Sequence, residues 1–149
     1  MIALLQRVTT ARVVIKGNTV AHIGPGLLTL IGVEKNDAEA EADRLLQRLL
    51  DYRVFADAED KMNLSLRDIN GDLLLVPQFT LAADTGKGLR PGFSRAASPQ
   101  EGRRLFDYLC SRAQALYPRI ATGRFGADMQ ITLTNDGPVT FWLETGRGE

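Results

Sequence analysis

The sequence predicts an α+β fold: a compact, β-rich single domain with a barrel-like antiparallel or mixed sheet and two main helices. Three observations carry this. Gly17-Asn18 and Gly24-Pro25-Gly26 punctuate apolar, β-branched segments in the first 33 residues, as turns between strands do. Helical periodicity is confined to two segments that lie between strands. Alternating apolar residues return near the end of the chain.

The elements are taken in chain order. Ile2 to Val8 is apolar, and Ala11 to Ile15 is apolar and β-branched, so each reads as a strand. Gly17-Asn18 places a two-residue hairpin turn before Thr19-Val20. Leu27 to Val33 is a near-continuous apolar run, the pattern of a strand buried on both faces. Asn36-Asp37 opens a helix that runs to about Tyr52, with acids in its first turn and Leu45, Leu46, Leu49 and Leu50 on one face. Val54-Phe55 suits a short strand, and residues 56–72 read mostly as loop. Leu73 to Leu81 is a strand interrupted by Pro77. Residues 84–98 (DTGKGLRPGFSRAAS) form a long irregular loop, a length that in a compact domain usually signals function. Ser98 then caps a helix, Pro99 takes its first position and Glu101 closes a capping box. Leu105, Phe106, Leu109, Cys110, Ala113 and Leu116 supply its buried face, and Pro118 ends it. Met129 to Leu133 and Val139 to Leu143 are two strands joined by Asn135-Asp136-Gly137-Pro138. The domain spans residues 1–149, with a Gly-rich, charged tail expected to fray over about 145–149.

Composition narrows the chemistry. The chain has 149 residues, 44% hydrophobic and 24% charged, which suits one globular domain with its own core. One cysteine excludes an internal disulfide, and one histidine leaves too few ligands for a Cys/His zinc site. No apolar run reaches membrane-spanning length and the N-terminus lacks a signal pattern, so a cytoplasmic location is the default expectation. Net charge is zero, with 18 basic and 18 acidic residues, which argues against coating long nucleic acids such as DNA. Yet residues 87–124 hold eight basic and two acidic residues, a net of +6. A basic segment in a neutral chain suits contact with a few phosphates. Lys87, Arg90, Arg95 and Arg124 are the candidates for that contact.

Nucleophilic sets are scarce. A Ser-His-Asp triad would need His22, which lies in a strand pattern and reads as a surface residue. A Cys-His pair would need Cys110, which reads as a small core residue. No GxxxxGK[ST] phosphate loop occurs. Two segments stand apart from this picture. Gln78-Phe79-Thr80 places polar residues at the end of an apolar strand beside Pro77. Proline belongs at a strand's edge or end, so pairing is expected to stop there and leave N–H groups free for a developing oxyanion. Asp136-Gly137-Pro138 is the second; its Gly-Pro bond can be cis at modest cost.

Together these segments resemble the D-aminoacyl-tRNA deacylase family over about residues 1–144. MIALLQRVTTARV, GLLTLIGVEKND, YRVFADAEDKMNLSL, QFTLAADTGKGLRPGF, TGRFGADMQ and NDGPVTFWL carry the resemblance, in that order. The resemblance implies a homodimer that hydrolyses the ester between a D-amino acid, or glycine, and the 3′-terminal adenosine of tRNA. The partner is then the CCA end of D-aminoacyl-tRNA, with no membrane and no cofactor. The family's Ser-Gln-x-Thr motif falls on Pro77, Gln78, Phe79 and Thr80, with proline here in place of serine. This loop is implied to grip the aminoacyl group, with Thr80 beside the ester. Gly137 and Pro138 are implied to form a cis peptide that reaches into the partner's site and excludes an L side chain. Phe125 falls where the terminal adenine stacks, Met129 where the pocket is lined, and Arg7 near the Gly-Pro tip.

Two mechanisms are open on sequence. Thr80 could attack the ester, or the site could position the ester for water, aided by the substrate's 2′-hydroxyl. The second needs no protein base, and is favoured. A non-catalytic dimer that binds RNA 3′ ends or adenine nucleotides is the competing reading.

Overall fold

The computed structural model describes residues 1–146. It contains eight strands and three α-helices: β1 (Ile2–Ile15), β2 (Asn18–Ile23), β3 (Gly26–Gly32), α1 (Glu39–Asp51), β4 (Phe55–Ala56), β5 (Met62–Leu64), α2 (Leu66–Ile69), β6 (Asp72–Pro77), α3 (Pro99–Leu116), β7 (Ile120–Thr122) and β8 (Gln130–Glu144). A 3-10 turn, Phe79–Ala82, comes after β6.

The main sheet is mixed, as expected. Its order is β2-β1-β3-β6-β7, with β8 along the other side of β1. β3–β6 and β6–β7 pair in parallel, while every pair involving β1 is antiparallel. Parallel neighbours require crossovers, and α1 and α3 lie in these two. The sheet curls until β2 packs across to β6 and β7, which gives the barrel-like form.

Two cores result. One lies between the sheet and the helices. There Leu45, Leu46, Leu49 and Leu50 of α1 meet Leu105, Phe106 and Leu109 of α3 over Leu27, Leu73 and Leu75. Each fully buried leucine contributes about 1.5–3 kcal/mol relative to exposure. The other fills the curl of the sheet with Val8, Val13, Ile23, Leu28, Leu74 and Val76. Alternation decides the split: odd-numbered residues of β6 face the helices and even-numbered ones face the curl.

Several boundaries differ from the sequence reading, each for a physical reason. The two N-terminal segments are one strand, β1, because β8 pairs with it on both sides of residues 8–10. The hairpin turn is Lys16-Gly17, one residue earlier than expected; both residues have positive φ (49° and 80°), as the favoured two-residue turn requires. Helix α1 starts at Glu39, because Asp37 is engaged by the Glu34 N–H (2.7 Å) and the Met1 amino group (2.9 Å). Glu41 caps this helix by accepting from the Ala38 N–H at 2.7 Å. Residues 56–72 are more ordered than a loop, since α2 and the β4–β5 ladder lie there. The Ser65 hydroxyl accepts from the Asp68 N–H, and the Asp68 carboxylate accepts from the Ser65 N–H, which closes a capping box. At α3, Ser98 caps as expected, but the Glu101 carboxylate pairs with Arg104 (3.0 Å) instead of closing the box.

The C-terminal pair of strands is not a hairpin. Residues 130–135 pair with the far half of β1 and residues 140–144 with its near half, so both belong to β8 with a bulge between. The tail is held at the first residue expected to fray. Thr145 is buried, its N–H donates to the Met1 carbonyl (2.9 Å) and its hydroxyl to the Glu41 carbonyl (3.2 Å). Residues 147–149 of the expected tail lie outside the described residues. Among the described residues, no helix is long and apolar enough to cross a membrane.

Candidate active site

The β6 strand ends at Pro77, and the chain then enters a tight 3-10 turn rather than continuing as strand. Proline has no N–H to extend the ladder, so the chain leaves the sheet there. Gly32 makes the exit possible: a Cβ there would lie 2.9 Å from the Leu81 Cβ and 3.4 Å from the Gln78 carbonyl. The Gln78 N–H is not free, as it donates to the Ile31 carbonyl at 2.7 Å. The free donors are the next two. Among the described residues, no acceptor meets the Phe79 or Thr80 N–H, the first donors of the 3-10 turn. The Gln78 side-chain amide donates to the Thr80 hydroxyl, which fixes that side chain. No histidine or carboxylate is paired with the Thr80 hydroxyl among the described residues.

A cleft of about 500 Å³ opens beside this turn. Pro77, Gln78, Phe79, Phe125 and Met129 all line it, so five of the residues singled out in the sequence converge. Thr80 sits outside the lining and is exposed. The packing that shapes the cleft depends on two glycines. A Cβ at Gly123 would meet the Met129 sulfur at 2.9 Å and the Pro77 Cδ at 3.4 Å. A Cβ at Gly102, inside α3, would press on the Phe125 ring at 3.3 Å.

Other residues, packed on aromatic rings that line the cleft, escaped the sequence reading. Phe93, on the long 84–98 loop, packs against Phe79 with ring centroids 5.4 Å apart. The loop itself is pinched by a bridge in which Asp84 and Gly92 exchange N–H bonds of 2.7 and 3.0 Å. Arg103 lies over the Phe125 ring, 5.5 Å from its centroid. Gly102 did carry a readable signal: a glycine inside a helical pattern costs about 1 kcal/mol, so it usually has a packing reason.

Gly137 and Pro138 do not join this cleft within one chain. They are exposed on β8, and the bond between them is cis. Asn135 braces the tip by donating its side-chain amide to the Arg7 and Val139 carbonyls, both at 3.0 Å. Arg7 lies near the tip, as expected, but supports it rather than lining the cleft. Its guanidinium donates to the Asp136 carbonyl (2.9 Å) and the Val54 carbonyl (2.7 Å), and pairs with the Asp136 carboxylate (3.3 Å).

The remaining polar candidates sort readily. His22 is exposed on β2, with its ring nitrogen 3.4 Å from the Thr10 hydroxyl. Burial pushes the Cys110 thiol up to about 12, with Asp107 adding to the effect, so it stays protonated and non-nucleophilic at neutral pH. Arg95 is not available for phosphate, because its guanidinium pairs with the buried Glu34 at 3.0 Å. Lys87, Arg90 and Arg124 are exposed.

Comparison with known proteins places this geometry. The sequence matches the family model described as D-Tyr-tRNA(Tyr) deacylase over residues 4–144. A D-aminoacyl-tRNA deacylase of Nitrosococcus oceani is 62% identical over 97% of this chain and 93% of its own length. One from Pseudomonas fluorescens strain Pf0-1 is 61% identical over 97% of this chain and 100% of its own. Among solved structures, a c-Myc DNA unwinding element binding protein superposes with a TM-score of 0.93 at 34% identity, over 98% of this chain and 99% of that one. A solved structure described as a probable eukaryotic D-amino acid tRNA deacylase shares the fold, with a TM-score of 0.78 at 19% identity over 96% and 98% of the two chains. These matches define the class, hydrolases that act on aminoacyl-tRNA. The chain belongs to the D-Tyr-tRNA(Tyr) deacylase family.

Proposed function

We propose that the protein hydrolyses the ester between a D-amino acid and the 3′-terminal adenosine of tRNA, and that the cleft beside residues 77–80 holds the aminoacyl-adenosine end. Glycyl esters, being achiral, are substrates too. The observation that carries the mechanism is the pair of unpaired N–H groups on Phe79, which lines the cleft, and on Thr80, the next residue of the turn. Two such donors stabilise a tetrahedral oxyanion, a contribution worth about 3–4 kcal/mol per donor in comparable sites.

Phe125 offers a ring face for adenine and Met129 an apolar wall. The Thr80 hydroxyl lies outside the cleft lining and is held by an amide, which is no base. The site therefore positions the ester, and water aided by the substrate's 2′-hydroxyl attacks the carbonyl. Pro77 leaves the family serine's place without a hydroxyl, yet the turn after it is formed and its donors are free.

Chiral selection needs a rigid feature on one side of Cα, since steric exclusion discriminates more strongly than added contacts. Gly137-Pro138 supplies it from a second subunit. Support comes from its exposure, its bracing by Arg7 and Asn135, and its absence from its own chain's cleft. The outer side of β8 pairs with no strand among the described residues, which leaves a surface for a second copy. The working compartment is the cytoplasm, where charged tRNA is used.

The test is deacylation of D-tyrosyl-tRNA beside L-tyrosyl-tRNA. The D-ester should be lost rapidly and the L-ester spared; equal rates, or no loss of either, would refute the proposal. Thr80→Ala should keep activity within about tenfold, the scale of one lost hydrogen bond, whereas a substrate ending in 2′-deoxyadenosine should be cleaved poorly. Near-total loss in Thr80→Ala with the deoxy substrate unaffected would make threonine the nucleophile.

A further inference from the structure

A second groove, of about 410 Å³, lies behind Phe125. It shares Phe106 and Phe125 with the first cleft, but none of residues 77–80 lines it. Phe125 is thus a wall between two spaces: one beside the ester-binding turn, the other on the far side of the ring. Arg103 and Arg124 both line the second space. Arg103 lies on the Phe125 ring, and its Nη2 donates a long 3.4 Å bond to the Phe125 carbonyl. Neither arginine has a carboxylate partner among the described residues, unlike Arg95, Arg104, Arg112 and Arg119. The groove also holds one acid, Asp107, and the hydroxyl and amide of Ser111 and Gln114.

We infer that this groove receives the 5′ side of the terminal adenosine: its 5′-phosphate and the nucleoside before it. The inference rests on the placement of the aminoacyl-adenosine proposed above. With the ester at the 78–80 turn and the base on Phe125, the nucleic acid can continue only through the 5′ carbon. Phosphate seeks unpaired guanidinium groups, which meet it with two parallel N–H bonds. Asp107 tempers the positive charge, and its carboxylate can accept from an exocyclic amine of the neighbouring base. Arg103 serves twice, since it also fixes the ring on which the adenine rests. Arg124 serves only the phosphate.

Calorimetry on the full chain at low ionic strength tests this with three probes: adenosine, adenosine 5′-monophosphate and the dinucleotide CpA. The monophosphate should bind about tenfold more tightly than adenosine, and CpA at least as tightly as the monophosphate. The slope of log affinity against log salt should be about −0.7 for CpA, the value for one phosphate of a single strand. Arg124→Gln should remove the phosphate advantage, while Arg103→Gln should weaken adenosine as well. Equal affinities for all three probes, no measurable binding of any, or an advantage that survives Arg124→Gln would overturn the inference. Deacylation of D-tyrosyl-tRNA reports separately on the reaction. Turnover without a phosphate advantage removes this groove and keeps the reaction, and a phosphate advantage without turnover does the reverse.

Discussion

Thr29 shows how one atom can be out of step with its surroundings. It lies in β3, in register with Leu5 on one side and Leu75 on the other, and is fully buried. Its hydroxyl has no hydrogen-bond partner among the described residues. A buried hydroxyl without a partner loses its water and gains nothing in return. Valine has the same branching without that group. Thr29→Val should therefore stabilise the protein by about 1–2 kcal/mol. A thermal melt would show this as a rise of about 2–4 °C per kcal/mol for a domain of this size. An unchanged or lowered midpoint would mean that the hydroxyl is satisfied in solution.

At the scale of the element, the parallel pairing of β3 with β6 places Pro77 and the turn after it. That pairing begins at Gly26 opposite Asp72. A Cβ at Gly26 would collide with the Asp72 carbonyl oxygen and lie 2.7 Å from its carbonyl carbon and nitrogen. These are backbone atoms and cannot rotate aside. Gly26→Ala should cost about 3 kcal/mol, as overpacking a rigid site does, and should lower deacylation by shifting the 78–80 turn. A neutral effect on both would show that the strands can separate there without consequence. The sequence made these strands readable because a doubly buried strand is a continuous apolar run, and Leu27 to Val33 is one. Pro77 and the polar residues after it marked the strand's end for the same reason: they break that run. What it hid was pairing between distant segments. The single long β1 and the bulged β8 are defined by each other, across more than a hundred residues, and no local pattern near Gly137 distinguishes a bulge from a hairpin. Arg103 beneath Phe125 and Phe93 against Phe79 were hidden likewise, because each contact joins an exposed side chain to a ring from another segment.

Across the whole molecule, acidic side chains repeatedly do structural work at the ends of elements, and this sets the response to pH. Hydrogen bonds from the Ala38 N–H hold Glu41 below the usual carboxylate range, and the Lys61 N–H leads the effect on Asp57. The Ser65 N–H does the same for Asp68, and the Arg104 guanidinium for Glu101. A carboxylate whose folded pKa is depressed adds stability above its unfolded pKa, and loses it as pH falls through the folded value. All four effects therefore fade together below about pH 4, the ordinary range for these side chains. Asp37 acts in the opposite sense. Burial raises its pKa, so it favours the folded state below the ordinary value, and that contribution is lost as pH rises through the raised one. Four depressed groups against one raised group should leave a net loss of stability on acidification. Thermal melts from pH 7 to pH 3 should show the midpoint falling most steeply below about pH 4. Asp68→Asn makes the assignment specific, because it removes the charge that caps α2 while keeping the side chain's size. The variant should melt below the parent at pH 7, and the gap should narrow as the parent's own Asp68 becomes protonated. A gap that stays constant down to pH 3 would show that the capping box does not depend on the charge.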